Sequence, residues 1–490
     1  MNKRQTIKVL RRIVMGSILT LGYSACSPFR PDVADSATIK EAWDEFSNPA
    51  DSARTKVWWF HGETETTREG ITADLEAYKR AGVGGVVYYD QVHGKGEHAL
   101  PAFSVEWWEM LKFAASEAKR VGLSFEINLS NGYVAGGPWI TKALSMQRLT
   151  ASDTIIRGKQ QFAAVLPAPG DDEFWDIAVL AFPVPQNQWM TNNSQRPKVT
   201  CNLPGVSAED FFCKKSRLTT IPPQQPGKSV YINLDFETSF TARSITYRVS
   251  KRSKASTGAM NVPGAPADEF YGSSYVKQPP LGQLEVSDDG INYSKVCDLK
   301  PIYQAAASRW DQKTVSFPAV TGRYFRLNLH DWCLAGDQRP EMALGNVTLS
   351  SRARIDQWEE RAGFYSEYIL KNLTPAYTDE EIIDLKTIVD LTSKMGTDGR
   401  LEWDVPEGDW VIMRFAHEST GGPSKHGRAN LKGLECDKMS VEAVTTQWNN
   451  YAARMIDTLS AINVKPDGVI MDSHEAGAQN WTPGFEQEFL

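Results

Sequence analysis

The chain of 490 residues is 41% hydrophobic and 23% charged, an ordinary globular balance, and it exceeds one usual core, so two or three domains are expected. Its net charge of -7 leaves no basic surplus to displace counterions from phosphates, which argues against a nucleic-acid partner. Cys201, Cys213, Cys297, Cys333 and Cys436 stand far apart with no CxxC pair, so no zinc cluster is expected; a Cys201–Cys213 disulfide is left open.

The N-terminus reads as an address. Lys3, Arg4, Lys8, Arg11 and Arg12 precede a short apolar run over residues 13–21, and Ser24 and Ala25 place small side chains before Cys26. This is a secretory signal, too short to span a bilayer. Small residues followed by Cys resemble a bacterial lipoprotein processing site, so residues 1–26 are read as a signal with a lipidated Cys26. Residues 27–52, rich in Pro, Asp, Ser and Ala, read as a tether. The expected location is the bacterial cell envelope, with membrane contact through the lipid anchor only.

Residues 53–147 read as the first part of a parallel α/β unit. Val57 to Phe60 form an apolar strand ending on His61. Thr66 with Glu69 makes a capping-box pattern, Ile71, Leu75 and Tyr78 share a helical face, and Gly82 stops the helix. Residues 85–89 are a second buried strand landing on Asp90 and Gln91. Ser104 starts the next helix, with Trp107, Leu111, Ala114, Ala118 and Val121 at helical spacing before Gly122. Residues 123–127 are a third strand, running into Asn128 and Asn131. This rhythm predicts a parallel sheet with crossover helices.

The rhythm breaks over residues 148–352, where alternating or β-branched runs at 177–182, 229–234, 244–249 and 283–286 are separated by Pro- and Gly-rich turns. That predicts an all-β insert. Residues 284–293, with the pair Asp289-Gly290, and residues 314–317 and 322–327, with Arg323, Tyr324 and Arg326, resemble the galactose-binding-like sandwich of discoidin type. The resemblance implies a hairpin turn at the Asp-Gly pair and a structural Arg-Tyr-x-Arg strand, and the module is read as a packing element.

Residues 353–490 return the chain to the parallel unit. Residues 355–368 and 379–384 read as polar helix, 401–410 as a hairpin, and 411–415 as a resumed barrel-type strand ending on His417 and Glu418. Ser440 caps a helix expected to bury Val441, Val444, Trp448, Tyr451, Met455 and Leu459. Residues 468–471 then form a short apolar strand, expected to be covered on both faces, that delivers Asp472, Ser473, His474 and Glu475 onto a loop rimmed by Trp481. An isolated D-x-x-E is ordinarily a helix cap and a solvated acid; here each earlier strand end also carries polar groups, and the carboxyl ends of parallel strands are where chemistry sits.

His61, Asp90, Asn128, Asn131, His417, Glu418, Asp472 and Glu475 are therefore expected to converge. Carboxylates, amides and Trp, without a nucleotide-type Gly-rich loop or a nucleophile elbow, favour glycoside chemistry. That chemistry needs two carboxyl groups flanking an acetal, one protonated for the leaving group and one to activate water or attack.

Several motifs carry a family resemblance. Residues 57–62 (VWWFHG), 69–76 (EGITADLE), 82–85 (GVGG), Pro138-Trp139, 401–410 (LEWDVPEGDW), 433–438 (GLECDK), 472–477 (DSHEAG) and 480–483 (NWTP) together resemble the α-L-rhamnosidases of glycoside hydrolase family 106, in the right order. The resemblance implies an incomplete (β/α)8-type barrel carrying the β-sandwich insert, with further strands beyond Leu490. It also implies an inverting mechanism, a calcium ion that helps hold the sugar, and terminal rhamnose on a polysaccharide or oligosaccharide as substrate. Carried over, Glu475 is the catalytic candidate. Asp472, His61, Asn131, Glu418, Glu435 and Asp437 are substrate-binding candidates, and the metal ligands are not assigned. His474 departs from the aromatic expected in its motif. The alternatives are an exo-glycosidase of another specificity and a non-catalytic carbohydrate-binding envelope protein.

Overall fold

The computed structural model describes residues 36–92, 98–170, 173–185, 190–213, 218–223, 227–250, 281–300, 302, 311–330, 341–364, 381–472 and 479–489. Cys26, Cys333, His474 and Glu475 lie outside the described residues. In chain order the strands are β1 (Lys56–His61), β2 (Gly85–Asp90), β3 (Ser124–Asn128), β4 (Gly136–Gly137), β5 (Gln147–Ile156), β6 (Gln160–Val165) and β7 (Phe174–Pro183). Then come β8 (Lys198–Cys201), β9 (Thr219–Ile221), β10 (Val230–Val249), β11 (Gly282–Ser287), β12 (Ser294–Leu299), β13 (Gln312–Leu329) and β14 (Met342–Ser350). The last are β15 (Val389–Asp390), β16 (Arg400–Val405), β17 (Trp410–Ser419), β18 (Leu434–Glu435) and β19 (Gly468–Ile470). The longer helices are α1 (Ser36–Ser47), which falls within the stretch read as tether, α2 (Arg68–Arg80), α3 (Val105–Val121), α4 (Val441–Asn450) and α5 (Ala452–Ser460).

The parallel sheet runs β1-β2-β3-β19, every neighbouring pair parallel, with His61 beside Asp90 and Ile470 beside Asn128. Alternation divides its side chains between two faces. Trp59, Val86, Tyr88, Phe125 and Ile127 pack against Ile71 and Leu75 of α2 and Leu111, Ala114 and Ala118 of α3. Local signals place those helices: the Ser104 hydroxyl accepts the Trp107 amide, and Gly122, at φ 73°, ends α3 in the left-handed region. The cap of α2 is Thr67 rather than Thr66; its hydroxyl accepts the Gly70 amide at 3.0 Å, and the helix begins one residue later than the capping-box pattern suggests.

The middle of the chain forms a seven-stranded sheet, order β12-β11-β13-β10-β14-β9, with β8 also paired to β10, all antiparallel. The runs at 229–234 and 244–249 are one strand, β10, and those at 314–317 and 322–327 are one strand, β13. Irregularities between Asp235 and Phe240 absorb the break. Asp289 accepts the amides of Ile291 and Asn292, both at 2.8 Å, and Gly290 takes φ 73°, closing the β11–β12 turn. Arg323 pairs bidentately with Asp235, whereas Arg326 meets Glu285 through the single oxygen Oε2 while lying over Tyr231 and Tyr293.

Several expectations for the later chain are corrected. β17 is not a strand of the parallel sheet: β5 and β7 occupy both its edges, antiparallel, in a sheet of order β15-β7-β17-β5. No 401–410 hairpin forms, because β16 ladders with β6 while β17 ladders elsewhere. Of the polar helices expected at 355–368 and 379–384, the described residues hold only the single turn Trp358–Arg361, and 382–384 are not helical; residues 365–368 and 379–380 lie outside the described residues. The helix after Ser440 breaks at Tyr451 (φ -126°, ψ -76°). α4 buries Ala443 and Gln447 and leaves Val441, at 84%, and Val444 and Trp448 exposed, whereas α5 buries Met455 and Leu459. β19 is parallel as expected but is not covered on both faces, since Val469 and Met471 are exposed. Cys201, Cys213, Cys297 and Cys436 are all free thiols, so no Cys201–Cys213 disulfide forms.

Candidate active site at the strand ends

The same alternation sorts the predicted site residues. His61 and Asp90 share the parity of Trp59 and Tyr88, so they face the helices rather than the open side of the sheet. The His61 ring stacks on Tyr88 at 4.4 Å and meets Trp59 edge-on at 4.3 Å. Burial, opposed by the charge of Asp90 and reinforced by Arg428, lowers its pKa to about 4, so His61 is neutral at ordinary pH. Its Nε2 is buried without a partner.

Asp90 is the hub of a buried network. Arg428 donates to its Oδ1 through Nε at 3.0 Å and Nη2 at 2.7 Å, while Trp107 Nε1 and the Tyr451 hydroxyl donate to its Oδ2, each at 3.2 Å. Arg428 and Asp90 are 2% and 1% exposed. Such saturation makes Asp90 a structural anchor. Through Arg428 it straps residues 421–433 across the strand ends: Val92 N donates to His426 O (2.7 Å), Tyr133 N to Lys425 O (3.2 Å), and Arg428 N to Asn131 Oδ1 (3.0 Å). Asn131 is thus fully buried beneath the strap, and Asn128 turns its amide onto the carbonyls of Ser130 and Gly132.

The opposite face carries Trp58, Phe60 and Tyr89, with ring centroids 5.3–6.2 Å apart. The Tyr89 hydroxyl donates to Asp472 Oδ2, fixing the chain just past β19 against the end of β2. Beyond the undescribed stretch that holds Glu475, the chain is caught again. Gln479 Nε2 donates to Asp437 Oδ1 and Thr482 Oγ1 to Oδ2 (2.6 Å), while Asn480 Oδ1 accepts Leu149 N at 2.7 Å. The chain is therefore held before that stretch at the end of β2, through Asp472, and after it by Asp437 and by Leu149 of β5.

The remaining candidates divide. Asp437 is fully buried and committed to Gln479, Thr482 and the Met439 amide at 2.9 Å. Glu435, on β18, pairs with Lys438; burial raises its carboxyl pKa, and Lys438 and Lys425 pull it back. Glu418 lies on β17, buried and held by Arg148 Nε at 2.9 Å, away from the parallel sheet. Its neighbour His417 stacks on Trp175 and shares a hydrogen bond with Gln147 at 3.0 Å. Among the described residues no three His, Cys, Asp or Glu side chains gather as metal ligands, and Asp90, Glu418 and Asp437 already have donors. The expected calcium thus has no assigned ligand set among the described residues. Sequence reasoning missed Tyr89, Tyr133, His426 and Arg428; strand parity flags Tyr89, and the glycine-rich run at 421–433 hints at close backbone approach.

A face bearing half-exposed Trp58 and Phe60 over a buried Tyr89, with the Asp472 carboxylate at the carboxyl ends of parallel strands, is where an enzyme of this architecture holds a polar substrate. The chain belongs to the glycoside hydrolase family 106, alpha-L-rhamnosidase, whose family model matches residues 47–490. It is similar to the solved structure of a rhamnosidase from Novosphingobium sp. PP1Y, at TM-score 0.71 and 26% identity, over 91% of this chain and 41% of that one. It also matches a protein of Formosa agariphila named "Putative beta-glucuronidase", 22% identical over 476 residues, covering 96% of this chain and 27% of that protein. The chain thus spans less than half the length of either.

Proposed function

We propose that this chain carries part of an inverting α-L-rhamnosidase that removes terminal rhamnose from complex polysaccharides. Family membership supports a glycoside hydrolase acting on carbohydrate. The observation that supports this reading is the Tyr89–Asp472 hydrogen bond, which fixes Asp472, three residues before Glu475 in the sequence, against the end of β2. In this reading Glu475 is one of two carboxyl groups. One protonates the departing glycosidic oxygen while the other takes a proton from water attacking the anomeric carbon from the opposite face. Asp472 lies beside the sugar, and Asp437 acts by holding Gln479 and Thr482.

We further propose that β1, β2, β3 and β19 belong to a (β/α)8-type barrel and that the seven-stranded sheet belongs to a galactose-binding-like sandwich. Trp58 and Phe60, 47% and 44% exposed, are side chains that a barrel interior covers. The N-terminal signal and Cys26 support export to the bacterial envelope on a lipid anchor; no described helix is long and apolar enough to cross a membrane. The Formosa agariphila relative favours one second reading, an exo-glycosidase of another specificity.

The test is the full-length protein against a panel of aryl glycosides. Release from aryl α-L-rhamnoside is expected, and Glu475→Gln should lower kcat by about 10²–10⁴-fold with binding retained. Release of a different sugar alone overturns the specificity. A wild-type rate in the Gln variant overturns the site.

A further inference from the structure

We infer that His426 is a substrate-contacting residue of the same site, placed there by the Arg428 strap. This rests on reading the strand ends as the sugar site. Nothing in the periodicity of the sequence marks His426, and the argument for it is geometric.

His426 has φ 58°, in the left-handed region that costs a non-glycine residue conformational energy. Six other non-glycine residues among those described share that region: Phe103, Arg196, Glu237, Asn346, Gln357 and Asn463. Of these, Phe103 packs its ring into the core on Trp107 and Trp108. His426 differs. It is half-buried over the ends of β2 and β3, with its ring 4.9 Å from that of Tyr133, whose hydroxyl accepts Gln91 Nε2 at 2.9 Å.

The backbone around His426 is fixed from every side. Its carbonyl accepts Val92 N, and the preceding carbonyl accepts Tyr133 N. A Cβ at Gly132 would come within 2.1 Å of Lys425 O, and one at Gly427 within 2.2 Å of Asn131 Nδ2. Arg428, two residues on, is locked into Asp90. The strap is thus built so tightly that the residue at position 426 must take this conformation, and glycine would take it without cost. An imidazole stands there instead, beside a tyrosine, at the mouth of the strand ends. An imidazole combines an aromatic face with polar ring nitrogens, a chemistry that suits a sugar ring.

The experiment compares His426→Gly and His426→Asn in the full-length protein, on whichever aryl glycoside the wild-type enzyme hydrolyses. Running it on that substrate separates it from the rhamnose assignment, and Glu475→Gln tests the site itself. Glycine relieves the backbone and removes the ring, and asparagine tolerates the left-handed region while lacking the imidazole. The expected result is an unchanged or higher thermal midpoint with kcat/KM reduced at least tenfold, mostly through KM, and a matching rise in the inhibition constant of the free sugar. A glycine variant with kcat/KM within twofold of wild type overturns the inference. Should glycine lower the thermal midpoint, the asparagine variant decides: full recovery of kcat/KM overturns the inference, and a persistent KM defect at wild-type stability upholds it.

Discussion

Acidification should unfold this protein partly through His61. Its imidazole is buried against Trp59 and Tyr88, and burial outweighs the attraction of Asp90 to hold its pKa at about 4 against an ordinary 6.5. At about 1.4 kcal/mol for each factor of ten, that gap amounts to roughly 3 kcal/mol. The unfolded chain binds this proton more readily than the folded one. The stabilisation is therefore complete above pH 6.5, is lost progressively as pH falls from 6.5 to 4, and changes no further below. Urea unfolding followed by tryptophan fluorescence, at intervals from pH 8 to 4, measures it for wild type and His61→Phe. Phenylalanine keeps the aromatic stack and gives up an Nε2 that has no partner. The wild type should lose roughly 3 kcal/mol more than the variant across that range. Parallel pH profiles for the two proteins would refute the reasoning, since the titrating group would then not be His61.

Two further substitutions test the strap. Arg428→Met leaves the Asp90 carboxylate buried without its counter-charge and should cost about 3–5 kcal/mol; the double variant Asp90→Asn/Arg428→Met should lose less than the two single changes summed, as read from urea midpoints. Gly132→Ala asks a non-glycine residue to hold φ 91° and brings a Cβ against Lys425 O, so a loss of about 2–4 kcal/mol and easier proteolysis within residues 421–433 are expected.

Much of the parallel unit was legible in the chain itself. β1, β2, β3 and β19, the Ser104 cap, the Gly122 stop and the Asp289-Gly290 turn all follow from signals within a few residues, because periodicity, capping and turn chemistry are local. The ordered motifs likewise carried the family. What local signals could not supply was partnership. The run at 411–415 has the apolar character of a barrel strand, and only the presence of β5 and β7 on its two edges makes it antiparallel. Val441, Val444 and Trp448 repeat at helical spacing, yet the break at Tyr451, whose hydroxyl reaches Asp90, turns them outward. The site shows the same division. Sequence put His61, Asp90 and Asp472 at strand ends, but one residue of parity sends His61 and Asp90 into the helix layer and turns Tyr89 to the opposite face, onto Asp472. Residue type and spacing determine which groups a chain can offer, whereas the face they occupy and the charges they meet depend on contacts hundreds of residues apart, such as Asp90 with Arg428, that exist only after the sheet and its strap have assembled.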